Sequence, residues 1–265
     1  MNFIVLDYYD IAIAASLIAV NAGLSIALQL GIARRMIIAA VRMVVQLTLV
    51  GLVLKALFAA SSPIFTALAL TCMILFAGRE AMARQERRFK GWWSYGMGTA
   101  SMMVAGTLVT LFALSTQISP DPWYDPRYAI PIMGMVLGNT MNGVSIGLDR
   151  MVSGAVQQKS AIEARLMLGA DKAEAMQNLV KTALRAGLIP TINGMSAAGL
   201  VSLPGMMTGQ ILAGVEPVDA VKYQILIMFL IAGGTGLGLV ASVFFARNRL
   251  TDRRHRLRLD RLRPL

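Results

Sequence analysis

Seven stretches of the chain stay apolar for long enough to cross a bilayer as helix, which takes about 20 residues. They run over residues 9–32, 37–57, 62–77, 93–114, 129–148, 188–213 and 221–246, with 62–77 the shortest. In the fifth, Asn139, Asn142, Ser145 and Asp149 recur at steps of three, three and four, the spacing of one helical face. Polar groups are expensive in hydrocarbon and face a bundle interior or a watery path. Arg42 and Gln46, four apart in the second stretch, share a face in the same way. Arg42 is near enough to the inner end to snorkel. Asp149 is expected at a similar depth, where the two charges could neutralise each other.

The sixth stretch is interrupted. GLVSLPGMMTGQILAG, residues 199–214, sets Pro204 beside Gly205 and adds Met206, Met207 and the amide of Gln210. A proline inside a helix lacks a donor and clashes with the carbonyl four residues back, here that of Leu200, a penalty of about 3 kcal/mol. Non-helical backbone at membrane depth is tolerated only where it is buried in protein or lines a cavity. In transporters it commonly marks the substrate region. The pattern predicts a span broken at Pro204 near mid-membrane, with Ser202, Pro204, Met206, Met207 and Gln210 lining a path. The two thioethers are candidate ligands for a soft metal, and otherwise a deformable lining.

Between the fifth and sixth stretches lies QQKSAIEARLMLGADKAEAMQN, residues 157–178. It reads as an amphipathic helix, a stop at Gly169 and Ala170, and a second helix capped by Asp171. A short helix across the cytoplasmic face has the form of an element that docks on a separate ATPase subunit. The plain alternative is an interfacial amphipathic helix. Glu163, Arg165, Leu168, Gly169 and Ala170 are its candidate contacts.

Composition agrees with a membrane solvent: 56% of residues are hydrophobic and 15% charged, against about 45–50% and about 25% in soluble domains. The first apolar run has no Lys or Arg ahead of it and no cleavage site behind it, so it is expected to be retained. One cysteine, Cys72, leaves no disulfide within the chain and no cysteine metal cluster. With the N-terminus outside, 21 of the 25 basic residues fall on the cytoplasmic side, as retention of Lys and Arg requires. The net charge of +11 is concentrated in residues 247–265. Without aromatic interleaving or a nucleic-acid fold signature, that tail is expected to rest on anionic lipid. No nucleic-acid partner is expected.

Enzyme motifs fail on context. GVSIG, residues 143–147, matches a nucleophile pattern but sits in an apolar stretch. The single histidine, His255, lies in the tail. No P-loop and no H-E-x-x-H occurs. The pairs Gly134/Gly138, Gly143/Gly147, Gly205/Gly209 and Gly234/Gly238 match G-x-x-x-G and predict tight bundle or dimer contacts.

Glu163-Ala164-Arg165 followed by Gly169 resembles the E-A-A-x-x-x-G signature of ABC importer permeases. Downstream, Leu179-Val180-Lys181-Thr182 replaces the expected I-x-L-P, and Ile189-Pro190 comes later. Over about residues 40–225 the chain resembles the FetB family of ABC permeases, the membrane half of the FetA-FetB iron exporter, related to plant aluminium-tolerance permeases. VRMVVQLTLVGLV, PIMGMVLGNTMN, LGADKAEA, RAGLIPT, GLVSLPGMMTGQILAG and VEPVDAVKYQI carry the resemblance.

The resemblance implies an iron-exporting permease in the bacterial inner membrane, a permease homodimer, and a FetA-like cytoplasmic ATP-binding subunit. ATP and Mg would be used in that partner, with no cofactor bound by this chain. The expected fold is an all-α polytopic membrane protein of about seven transmembrane helices, N-terminus outside and C-terminus cytoplasmic. Residues 1–246 would form one permease domain with a coupling segment at about 150–187, followed by the basic cytoplasmic tail 247–265. Another metal or an organic solute as cargo, a gradient-driven secondary transporter, and a structural or lipid-interacting membrane protein remain alternatives.

Overall fold

The structure, a computed structural model, describes residues 7–60, 62–83, 85 and 87–263, leaving aside the side chain of Ser94. The first six residues, Arg84 and the last two residues, which the readings of the N-terminus, of charge and of the tail include, lie outside that description. Among the described residues nearly all regular structure is helical and no strand forms, only isolated bridges. Six helices among the described residues are long and apolar enough to cross a membrane. The chain divides into two compact units, residues 1–62 and 63–265.

The first unit is a helical hairpin, α1 (Tyr8–Ala27) and α2 (Ala33–Ala60). Asp7 caps α1, its carboxylate accepting from the Tyr8 N–H at 2.7 Å while its own N–H donates to Asp10 at 2.9 Å. The chain reverses at Gln29 and Gly31, both at positive φ. Only Ala22 and Ser25 are buried in α1, and none in α2. Helices apolar all round belong in lipid or in a large core.

The second unit is built around α5 (Pro126–Gln157), which packs against α3 (Pro63–Ala83), α4 (Trp93–Phe112), α8 (Gln177–Ala197) and α10 (Pro217–Leu250). A π-helical turn, Ala113–Ile118, extends α4. Pro126 opens α5 behind the Asp125 cap, where a missing N–H does no harm. The core runs along α5 as Val144, Leu148, Met151 and Val152, with Leu239 and Val243 of α10 and Leu179 and Ala183 of α8. Nearer the start of α5, Ile132 and Val136 meet Ile227, Leu230 and Ile231.

Small residues set the helix approaches. A Cβ on Gly143 would stand 2.8 Å from the Gly187 carbonyl oxygen, and one on Gly187 would stand 2.6 Å from that of Gly143. Gly234 and Gly238 likewise admit Val136 and Thr140. Gly205 and Gly209 face open space, so of the four predicted glycine pairs Gly143/Gly147 and Gly234/Gly238 are the tight ones within this chain.

The predicted sixth span is not one helix. Helix α8 starts eleven residues before the predicted 188 and ends at Ala197, and a short α9 (Gly205–Leu212) follows an irregular link. The break is made at Gly199, φ +84°, not at Pro204. There the Ala197 carbonyl accepts the N–H groups of Val201 (2.9 Å) and Ser202 (3.1 Å) and the Gly199 N–H donates to Ser202 O at 2.9 Å. Pro204 is the N-cap of α9, with φ −63° and ψ 142°, conformationally at ease and outside any helix interior. The prolines inside helices are Pro131 in α5 and Pro190 in α8.

The tail is also folded. Beyond α10, Thr251 bridges Leu257 and Leu262 bridges Phe89. The Lys90 N–H donates to Arg261 O and the Arg263 N–H to Arg88 O, both at 2.8 Å. Terminal carbonyls of α10 find donors too: Thr251 Oγ1 to Arg247 O (2.9 Å), Arg261 to Arg249 O (2.8 Å) and Arg258 N–H to Leu250 O (2.7 Å). Phe89 is 1% exposed as a result.

Candidate functional site

Helices α5 and α8 open a cleft of about 600 Å³ lined by Asn142, Ser145, Ile146, Asp149, Arg150, Ala186 and Pro190. Three of these, Asn142, Ser145 and Asp149, belong to the polar face predicted on the fifth span. The 3.6-residue repeat delivers them to one side, and the Gly143–Gly187 contact fixes how closely α8 stands to them. The Ser145 hydroxyl lies 3.1 Å from Ala81 O and 2.7 Å from Met141 O, so its proton ties α5 to a carbonyl rather than to cargo. Asn139 is exposed and donates to Met135 O at 2.8 Å, outside the cleft lining.

Arg150, Ala186 and Pro190 are lining residues that the sequence pattern did not single out. The signal was available: a proline at 190 inside a helix withholds the N–H that would bond to the carbonyl four residues back, that of Ala186. Pro190 and Ala186 both line the cleft.

The other predicted pathway residues fall elsewhere. Ser202 is exposed in the link before α9, and Met206 packs against the second core cluster. Met207 is half-buried on α9, and Gln210 there has a buried side-chain oxygen with no hydrogen-bond partner. None of them lines the α5–α8 cleft. Arg42 and Gln46 are on α2, in the first unit. Among the described residues no group of three or more His, Cys, Asp and Glu could hold a metal ion.

The segment joining α5 to α8 forms the expected helix, stop and helix. Helix α6 (Lys159–Met167) ends at Leu168, Gly169 takes φ +93°, and α7 (Lys172–Ala175) follows. The Asp171 carboxylate accepts from the Ala173 and Glu174 N–H groups at 2.7 and 2.8 Å. Those bonds hold its pKa below the usual carboxylate value. Ile162 anchors α6 to the core, and Arg165 reaches Ala175 O at 3.4 Å. At the tip, Met167 and Leu168 are 82% and 89% exposed. A recess of about 550 Å³ beside them is lined by Arg165, Leu168, Gly169, Ala170 and Glu174, among others. Glu163 pairs loosely with Lys159 at 3.9 Å on an exposed face, a contact of little energetic weight.

No solved structure matches the chain. It is 41% identical over 203 residues to the UPF0014 membrane protein slr1647 of Synechocystis, covering 76% of each chain. It is 32% identical over 222 residues to a protein of Escherichia coli named "Probable iron export permease protein FetB", covering 84% of this chain and 83% of that one. Over 221 residues it is 32% identical to the Arabidopsis thaliana protein ALUMINUM SENSITIVE 3, covering 83% and 79%. The family model described as UPF0014, an uncharacterised protein family, matches residues 8–251. A multi-pass helical membrane protein with permease relatives, the chain belongs to the UPF0014 family.

Proposed function

We propose that the chain is the membrane-spanning permease subunit of an ABC transporter that exports iron from the cytoplasm, with ATP and Mg used by a separate FetA-like subunit. The observation that carries this reading is connectivity: α6 and α7, with the exposed Met167–Leu168 tip, directly join the two helices that line the polar cleft. A partner gripping that tip would move α5 against α8 about the Gly143–Gly187 contact and so widen or narrow the cleft. Exposed apolar side chains at a hairpin tip fit a groove on another protein better than they fit water.

In this reading α8 and α9 together supply a seventh crossing, the N-terminus is outside, and the tail lies in the cytoplasm of a bacterium. Gly205 and Gly209, unpacked within the chain, offer a close-approach face for a second copy. Cargo would meet Asn142, Asp149 and the Ala186 carbonyl, oxygen donors that suit a hard cation, whereas Met206 and Met207 would suit a soft one. The name of the Escherichia coli relative supports iron. The cleft volume of about 600 Å³ favours a second reading, a chelated metal or organic solute, because a bare ion fills only a small part of it.

The test is flux in vesicles that hold the chain together with its candidate ATPase. Efflux of iron that requires ATP supports the reading. Flux driven by a proton or sodium gradient alone would make the chain a secondary transporter, and ATP-dependent flux of an organic solute without iron would replace the cargo.

A further inference from the structure

The folded tail closes another cleft, of about 630 Å³, where α10 ends. Its walls carry Lys172 at the start of α7, Arg249 of α10, and Arg253, Arg254, Arg256 and Arg261 of the tail. Asp252 is the one carboxylate in that lining, and it is already engaged. Its Oδ2 pairs with Arg256 at 2.9 Å while Oδ1 accepts the Arg254 and Arg256 N–H groups, each at 2.9 Å. Among the described residues, Lys172, Arg249, Arg253 and Arg254 have no carboxylate within ion-pair distance. The Arg249 guanidinium lies 4.5 Å from the centre of the Trp93 ring, and its Nε is buried without a hydrogen-bond partner. The tail holds its shape without using these cations: Arg261 donates to Arg249 O, and Arg258 pairs with Asp260 at 2.9 Å.

Like charges gathered in a concavity repel one another, and a polyvalent anion relieves that repulsion. Forked guanidinium donors match phosphate geometry. The cleft also stands where an apolar helix gives way to basic residues, the level at which lipid phosphates would lie. The apolar run of α10 ends at Ala246, where Arg247, Asn248 and Arg249 begin its last turn, and Trp92, 84% exposed, is the chain neighbour of Trp93 in the cleft wall; exposed tryptophans gather at the membrane–water interface. We propose that this cleft is a phosphate-binding site, occupied by the headgroup phosphate of an anionic phospholipid. The ligand would lie beside the coupling segment, because the Lys172 N–H donates to His255 Nδ1 of the tail at 2.9 Å. Anionic lipid would then brace the tail against α7. The site requires no particular cargo, so it stands or falls apart from the transport reading.

The test uses the full-length chain in phosphatidylcholine nanodiscs, read by tryptophan fluorescence and thermal midpoint. Phosphatidylglycerol is raised in one series and inorganic phosphate is titrated in a second. A saturable response to phosphatidylglycerol that inorganic phosphate does not reproduce supports the lipid headgroup. An equal response to inorganic phosphate keeps the phosphate site but assigns it to a soluble ligand. The double variant Arg253→Ala/Arg254→Ala should weaken apparent affinity about fivefold per guanidinium removed. Lys181→Ala/Arg185→Ala, which takes the same charge from α8, should not. No saturable response in either series, or equal losses in the two double variants, would overturn the proposal.

Discussion

At Gly143 and Gly187 two backbones pass so closely that each glycine's missing Cβ is occupied by the other's carbonyl. Gly187→Ala is therefore expected to destabilise the protein by about 1–3 kcal/mol, read as a lower thermal midpoint in one detergent. Gly138→Ala, which meets nothing within 4 Å, serves as the unchanged control. The break before α9 makes the opposite contrast. Pro204→Ala should change stability by less than about 0.5 kcal/mol, because alanine adopts φ −63°, ψ 142° freely. Gly199→Val forces a β-branched residue to φ +84° and should lose about 1–2 kcal/mol. Equal losses at both positions would hand the break back to the proline. Sequence reasoning chose Pro204 because proline punctuates a chain locally. The observed turn instead depends on several N–H groups converging on Ala197 O, a pattern that no single residue type announces.

Among the elements, α6 and α7 were legible because each boundary is local: Gly169 ends one helix and the Asp171 side chain starts the next. The polar face of α5 was legible for the same reason, its period being a property of the helix alone. The contribution of α8 to the cleft was only half legible: Pro190 inside a helix marks a freed carbonyl at Ala186, but which helix faces it depends on what α8 packs against. If α6 and α7 couple to an ATPase, Leu168→Asp should leave the chain in the membrane yet abolish stimulation of ATP hydrolysis by this chain. Undiminished stimulation would move the contact away from the tip. Asp171 gives a test with a pH signature. Its folded pKa lies below the ordinary 3.8, so its capping contribution is complete above about pH 4 and fades only as pH falls through the folded value. At neutral pH Asp171→Asn, an equal N-cap, should preserve coupling, and Asp171→Ala should weaken it. Loss of ATPase stimulation in both variants would point to the charge rather than the cap.

For the whole molecule, if α8 and α9 together complete a seventh crossing, the tail and the link between the π-helical turn and α5 lie on opposite faces. A reporter between residues 119 and 124 should be external and one after Leu265 cytoplasmic; both on one face would mean that α8 and α9 do not cross. Helices of 21 and 8 residues rise about 31 and about 12 Å, enough in sum for a hydrocarbon core about 30 Å thick. The folded tail was the least legible part of the chain, because its partners are remote: Leu262 meets Phe89, and Arg263 meets Arg88. That separation has a consequence for synthesis. At roughly 5–20 residues per second, Phe89 is synthesised about 9–35 seconds before Leu262 exists to cover it. Until then Phe89 lacks one of the residues that cover it, so the final closure of this side chain reports late, long-range assembly rather than local folding.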